Sequence, residues 1–214
     1  MSRIYRESPS AFATIQEANR AIYIDFEGKT DEAPALLGIM LEGQFWQEVL
    51  DPRLAMAAEA KQLRLRDGKE VLQELRTRAL EENRRIAAFG TSEADKAKQY
   101  FGVELESGIS YLNVHWLGKR WWLDGLAPGG RPPRGQRFSL EEFEKLLGTE
   151  KPKHLGRQKA TKKLQSILEQ CDKKACYADV SRSGKRSWTN LLTYNRLDVE
   201  HTASLAQHIV SNGG

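Results

Sequence analysis

Residues 21–51, AIYIDFEGKTDEAPALLGIMLEGQFWQEVLD, decide the fold of this chain. The stretch contains three runs rich in aliphatic and aromatic residues, AIYIDFE, PALLGIMLEG and FWQEVLD, and a tight connection at Gly43 and Gln44 precedes the third. Short apolar runs separated by turn residues are typical of β-strands. The stretch therefore predicts an antiparallel meander of three strands.

Acidic residues occur in a distinctive arrangement near each end of the chain. Side chains alternate between the two faces of a strand, so Asp25 and Glu27 share one face of the first strand. Near the other end, Tyr194 and Asp198 stand four residues apart in a helical pattern and share a helix face. Carboxylates held close together raise one another's pKa unless a divalent cation neutralises them. The pattern therefore predicts a metal-dependent site.

The middle of the chain alternates between helical and strand patterns. Residues 55–84 carry apolar residues at helical spacing, and they predict one long helix or two, with a break near Asp67 and Gly68. Residues 85–90 predict a short strand, and a helix follows. YLNVHWLGKRWW, residues 111–122, fits either a strand or a short helix.

The second half of the chain is predicted to be mainly helical. Ser139 and Glu142 form a capping box at the start of one of these helices. The predicted segments are a loop at 126–137, helices at 139–148, 158–173 and 189–210, and a polar loop, SRSGKRS, at 181–187. Three strands, a helix, another strand and then helices predict an α/β fold with a mixed sheet flanked by helices.

Composition restricts the class of protein. The 214 residues are 40% hydrophobic and 29% charged, which is ordinary for a soluble globular protein. Apolar runs fall short of the roughly 18 residues that span a bilayer, and the first residues lack the apolar core of a secretory signal, so we expect a cytoplasmic protein. Cys171 and Cys176 are the only cysteines, and we expect both to be reduced structural thiols.

Positive charge is concentrated between residues 119 and 163. The formal net charge of the chain is +4, and this stretch carries about a dozen Lys and Arg against about five acids, with two tryptophans among them. Such a mixture suits phosphates and stacked bases, although charge runs are usually solvated surface. The candidate nucleic-acid-binding residues are Lys119, Arg120, Trp121, Arg131, Arg134 and Arg137.

The two acidic motifs resemble those of the DEDD exonuclease superfamily. Within it the chain is most similar to predicted nucleases whose ribonuclease-H-like domain stands alone or beside RecB-type nuclease modules. The first motif of the superfamily, Asp-x-Glu, is matched by Asp25 and Glu27 in YIDFEG. The third motif, Tyr-x-x-x-Asp, is matched by Tyr194 and Asp198 in YNRLDVEHT. The tyrosine indicates the DEDDy group.

The resemblance implies a single ribonuclease-H-like exonuclease domain over residues 1–214, with a basic loop and helical insertion at about 126–187. The second motif of the family usually has an Asp, and the corresponding position here is Glu93, in FGTSEADK. Asp95 is close enough to be an alternative. Both acids also fall in the first turn of a predicted helix, where carboxylates stabilise the helix dipole without any catalytic role.

The resemblance further implies a 3′–5′ exonuclease that hydrolyses phosphodiester bonds of single-stranded DNA or RNA with two Mg²⁺ or Mn²⁺ ions. Asp25 would bridge both ions, Glu27 and Asp198 would bind one, and Glu93 would act through water on the other. Tyr194 would orient the attacking water, because a phenol with a pKa near 10 is a poor base at neutral pH.

Other interpretations of the same residues stay open. A catalytically inactive nucleic-acid-binding module could keep this fold, and an endonuclease could use the same acids. Asn195 is a candidate hydrogen-bond partner of the site residues. Otherwise its side chain caps or solvates the helix. His201 follows Asp198 by three, whereas the histidine of the related group precedes that Asp by five, so the spacing disfavours a catalytic base. Neither DNA nor RNA is favoured by any motif.

Overall fold

The computed structural model describes residues 8–106, 111–155 and 160–213, and it contains one six-stranded sheet with strand order β4-β3-β2-β1-β5-β6. The strands are β1 (Ile22–Glu27), β2 (Leu36–Leu41), β3 (Gln44–Val49), β4 (Arg64–Leu65), β5 (Ile86–Ala88) and β6 (Tyr111–Asn113). The α-helices are α1 (Ile15–Arg20), α2 (Ala55–Glu59), α3 (Gly68–Glu81), α4 (Ser92–Phe101), α5 (Val114–Leu123), α6 (Leu140–Leu147), α7 (Ala160–Cys171) and α8 (Arg182–Ser211). The predicted α/β fold with a mixed sheet flanked by helices is confirmed.

The predicted meander is present. β1 pairs antiparallel with β2 and β2 with β3, while β5 lies parallel to β1 on the other side. The β2–β3 turn falls on Glu42 and Gly43, one residue earlier than predicted, and Gln44 already belongs to β3. Both turn residues have positive φ, which is the backbone conformation of the hairpin turn that matches strand twist.

Two ambiguous segments each contain more than one element. Residues 55–84 form α2, the short strand β4 and α3, so the break at Asp67 separates a strand from a helix. The Asp67 side chain accepts a hydrogen bond from the Glu70 amide and caps α3. In the segment that fitted a strand or a helix, β6 ends at Asn113, whose side chain accepts from the Trp116 amide and caps α5.

The predicted loop at residues 181–187 is wrong. α8 begins at Arg182, because Ser181 accepts a hydrogen bond from the Gly184 amide and provides an N-cap. The polar residues that suggested a loop lie largely on the exposed side of the first turns, while Gly184 is buried against α7. The predicted helix at 158–173 is α7, and its predicted first residue, Gln158, lies outside the described residues.

Helices cover both faces of the sheet. On one face, α3 and α4 pack on the aliphatic side of β1 around Ile22, Ile24 and Phe26. On the other face, α5 and α6 pack with the C-terminal half of α8, and α7 packs with its N-terminal half. Asp25 and Glu27 therefore point to the layer that contains α8, which is the helix that carries the second acidic motif.

Two further sequence predictions concern the whole chain. In the described ranges, every helix is too short or too polar to cross a membrane. Cys171 is buried, Cys176 is exposed, and both are free thiols.

Candidate metal centre

Three carboxylates from the two ends of the chain meet between β1 and α8. One oxygen from each of Asp25, Glu27 and Asp198 lies within 4.8 Å of the others. Oxygen ligands from carboxylates are the donors that Mg²⁺ prefers, and Mn²⁺ shares this preference. The donor set therefore fits a hard divalent cation. The two strand residues project together because they are two apart on β1, and Asp198 reaches them from the facing helix.

The environment of these carboxylates opposes their ionisation when no cation is bound. Burial, followed by the charges of Asp198, Glu27 and Glu93, raises the pKa of Asp25 well above its usual range. Burial and the charge of Asp198 raise the pKa of Glu27 to about 8. Burial also raises the pKa of Asp198, although Lys151 opposes this shift. A bound cation would relieve this repulsion.

A buried amide holds Asp25 in place. The Asn195 Nδ2 group donates to Asp25 Oδ2 at 2.9 Å and to the Asp25 backbone carbonyl at 3.0 Å. Gln47 on β3 donates to Asn195 Oδ1 at 2.8 Å, which fixes the orientation of the amide. Gly38 stands between Asp25 and Gln47 in the sheet, and a Cβ there would lie 2.4 Å from Asn195 Oδ1. Gly38 thus leaves the space that Asn195 occupies.

Glu93 and Asp95 occupy different surroundings. Glu93 is buried and lines the same cavity as Asp25 and Asp198, whereas Asp95 is exposed and lines a separate depression. Ser92 Oγ lies 2.9 and 2.8 Å from the two Glu93 oxygens. In the described ranges, the group of carboxylate oxygens within 4.8 Å of one another does not include Glu93. The position suits a residue that acts on a cation through water, as the resemblance implies.

Tyr194 stands one helical turn before Asp198 and lines the cavity. It is 6% exposed, and its hydroxyl is hydrogen-bonded to Asp198. Burial and the nearby carboxylates of Asp198, Glu27 and Asp25 raise the pKa of Tyr194 above its ordinary value. The hydroxyl therefore stays protonated at neutral pH, and it can donate a hydrogen bond in the site but cannot serve as a base.

Sequence reasoning missed the lysine that reaches this site. Lys151 Nζ contacts Asp198 Oδ1, and it lies 2.5 Å from Glu144 Oε1. His201 Nδ1 donates to the same Glu144 oxygen at 2.8 Å. Burial alone would raise the pKa of Glu144, but the hydrogen bonds from His201 and Lys151 hold it below its usual value. The sequence contained one signal for the burial of Glu144, because this residue directly follows Phe143, a core residue in the apolar pattern of α6.

The cavity at the carboxylates adjoins a larger one. The first has a volume of about 140 Å³, and the second, about 630 Å³, shares Phe89, Gly90, Ser92, Ser139 and Glu141 with it. The second also contains His115 and Arg137. The rings of Phe89 and His115 are tilted by 57° to each other, with centroids 5.6 Å apart. The shared lining places Arg137 in a cavity next to the acidic centre.

The six predicted nucleic-acid-binding residues are dispersed. Arg137 lines the cavity beside the acidic centre, and Arg131 and Arg134 are exposed on the preceding loop. Lys119 Nζ lies 5.5 Å from the Phe138 ring centroid, whereas the Arg120 guanidinium stacks 3.8 Å from that of Phe12.

Trp121 does not suit the predicted stacking role. Its side chain is 1% exposed and packs in the core against His208, with ring centroids 5.5 Å apart. The ring therefore offers no face to a base. The tryptophan belongs to the apolar stripe of α5, which the sequence pattern did not separate from a basic surface because the segment fitted strand or helix equally well.

Comparisons with known proteins give no further information about this site. No protein-family model, no curated protein and no solved structure matches the chain. A function can therefore be inferred only from the chemistry of the described residues and from the resemblance of the two acidic motifs.

Proposed function

We propose that this protein is a metal-dependent 3′–5′ exonuclease of the DEDDy type, which hydrolyses phosphodiester bonds at the ends of single-stranded DNA or RNA. One observation carries the proposal: Asp25, Glu27 and Asp198 converge within 4.8 Å, in the motif order of that superfamily. Glu93 and Tyr194, the remaining two motif positions, line the same cavity.

The topology supports a ribonuclease-H-like fold for this site. An antiparallel meander continues into parallel strands β5 and β6, and the first strand lies centrally in the sheet. Asp25 and Glu27 are on that central strand, and the last helix crosses its face. This arrangement is compatible with the ribonuclease-H-like domain that the resemblance implies.

Each residue of the site would have a separate role in hydrolysis. Asp25, Glu27 and Asp198 would hold Mg²⁺ or Mn²⁺, and the bound metal supplies a Lewis acid for the scissile phosphate and lowers the pKa of a water ligand. Asn195 keeps the Asp25 carboxylate in position. The Tyr194 hydroxyl, which donates its proton to Asp198, would orient the attacking water by accepting a hydrogen bond from it. The adjoining cavity with Arg137 would receive the substrate next to the scissile bond.

The test replaces Asp25 with its uncharged counterpart. Asp25→Asn removes a ligand while keeping the shape of the side chain and its place beside Asn195, so we expect at least a 100-fold loss of activity. The measurement is Mn²⁺-dependent shortening of a 5′-labelled single strand. Asp95→Asn is the matched control, because it removes the same charge from an exposed position and should leave activity unchanged.

The same assay separates the alternatives. A circular single strand stays intact with an exonuclease and is cut by an endonuclease. A protein that binds oligonucleotides with a steep salt dependence but cleaves neither substrate in Mn²⁺ is the inactive binding module. Full activity of Asp25→Asn would contradict the proposed site.

A further inference from the structure

Lys151 brings a fixed positive charge to the carboxylates. The side chain is 7% exposed, and its Nζ contacts Asp198 Oδ1 on the wall of the acidic cavity. The ammonium group also lies 5.3 Å from the ring centroid of Tyr194. An ammonium group in contact with two carboxylates is stabilised in its charged form.

Glu144 fixes the position of this lysine. Glu144 is 4% exposed, and its Oε1 accepts from both Lys151 and His201. Because α6 is fixed by its capping box and α8 supplies His201, two helices determine where the ammonium group lies. A buried ion pair with a third partner holds the ammonium group in one position, whereas an exposed lysine samples many positions.

Ammonium groups occupy two of the carboxylates at the cavity. Lys151 Nζ contacts Asp198 Oδ1, and Lys96 Nζ lies 3.9 Å from Glu93 Oε1. A second divalent cation on Asp198 Oδ1 would have to displace Lys151 from a buried ion pair that also includes Glu144, and breaking such a pair is costly. The position of Lys151 therefore favours a single divalent cation.

We propose that Lys151 takes the place of a second divalent cation on Asp198. The centre then binds one Mg²⁺ or Mn²⁺, and the ammonium group of Lys151 binds an oxygen of the substrate phosphate. The inference rests on the proposed function only in assuming that the carboxylates bind a divalent cation and that the substrate is a phosphodiester. It departs from the two ions that the family resemblance implies.

The test counts Mn²⁺ ions by calorimetric titration and by electron paramagnetic resonance, which detects magnetic coupling between two ions about 4 Å apart. We expect one uncoupled ion per wild-type chain. Lys151→Met removes the charge and keeps an unbranched side chain, so it should bind two coupled ions. Lys151→Arg keeps the charge and should bind one. Lys153→Met is the matched control, since Lys153 is exposed in the same segment, and should also bind one.

A second measurement tests the phosphate contact. With divalent cations removed by a chelator, so that there is no turnover and no second ion can replace the lysine, Lys151→Met should bind a single-stranded oligonucleotide about 10-fold more weakly than wild type, the effect of losing one charge-assisted hydrogen bond. Lys153→Met should bind as wild type does. Undiminished binding by Lys151→Met would overturn the phosphate contact.

The outcomes distinguish this inference from the proposed function. Two coupled ions in the wild type would overturn the role of Lys151 and leave the nuclease proposal intact. One ion in a folded Lys151→Met variant would also overturn it. No Mn²⁺ binding by the wild type would remove the basis of both. If Lys151→Met does not fold, as judged by circular dichroism, Lys151→Gln replaces it, and the wild-type count still decides the number of ions.

Discussion

At the scale of single residues, the centre depends on side chains that would not bind a cation themselves. Asn195 makes two hydrogen bonds to Asp25, and Gln47 fixes the Asn195 amide. Partners that orient metal ligands commonly change metal affinity by 10- to 100-fold when they are removed. The position of the Asp25 side chain is therefore set by an amide from α8, which β3 in turn holds in place.

Glu27 gives the metal-free protein a specific pH dependence. Its pKa is raised from 4.5 to about 8 by burial and by Asp198. Between these pH values the folded protein retains a proton that the unfolded chain releases, so this residue's contribution to stability falls as pH rises from 4.5 to 8. Glu27→Gln removes the effect, and we expect it to raise the free energy of unfolding by roughly 2–4 kcal/mol at pH 9.

Urea denaturation in the presence of a chelator measures this effect. Near pH 4.5 wild type and Glu27→Gln should be equally stable, because the wild-type residue is then protonated when folded. Glu59→Gln, at an exposed position of α2, is the control and should leave the free energy of unfolding unchanged at both pH values. If Glu27→Gln and wild type were equally stable at pH 9, the surroundings of Glu27 would not raise its pKa.

At the scale of elements, the packing of α8 on β2 allows little additional volume. A Cβ at Gly38 would lie 2.4 Å from Asn195 Oδ1, and the register of β2 places Gly38 directly beside Asp25. Gly38→Ala should therefore displace Asn195, lower the free energy of unfolding by about 1–3 kcal/mol and weaken Mn²⁺ binding. Thermal denaturation and Mn²⁺ titration measure the two effects.

Gly90→Ala is the control for this substitution. A Cβ at Gly90 would lie 4.0 Å from the Ser92 amide nitrogen, its nearest neighbour, so the methyl group is accommodated. This variant should be as stable as wild type. If Gly38→Ala were equally stable and bound Mn²⁺ as wild type does, the close contact between Gly38 and Asn195 would not position the site.

Elements with a strong local pattern could be predicted from the sequence. The three strands of the meander and the capped helix α6 follow from alternation, turn residues and a capping box. The face shared by Asp25 and Glu27 follows from the period of a strand. The first turns of α8 could not be predicted, because SRSGKRS has the composition of a loop and becomes helical where Gly184 packs on α7.

The supporting contacts of the centre were less predictable than its acids. Lys151 lies beyond the end of α6 in a stretch rich in basic residues, and its contact with Asp198 depends on how that stretch returns to α8. Trp121 was assigned to a basic surface, although it belongs to the core, because the segment gave no clear period. Long-range packing decided both cases, and periodicity describes only local geometry.

At the scale of the whole molecule, the distribution of charge should govern substrate binding. The net charge is only +4, so binding depends on where the cations lie. Arg131, Arg134 and Arg137 lie on the segment that leads to the cavity beside the carboxylates. Replacing all three with Ala should weaken single-strand binding and reduce the slope of log affinity against log salt by about 2.

Fluorescence anisotropy at several salt concentrations, in Ca²⁺, measures this slope. The control replaces three exposed lysines elsewhere, Lys61, Lys69 and Lys173, with Ala, which removes the same charge from other parts of the surface. The control should keep the wild-type slope. Equal slopes for the two triple variants would mean that binding follows net charge and that the loop has no special role.

The unbroken length of α8 has a consequence for changes in chain length. Tyr194, Asn195, Asp198 and His201 all come from one 30-residue helix, so their relative directions are fixed at 100° per residue. Inserting one residue between Asn195 and Asp198 would turn the aspartate away from β1. Insertions in the loop at 126–137 leave those directions unchanged. Variation in length is therefore tolerable in that loop and intolerable within this helix.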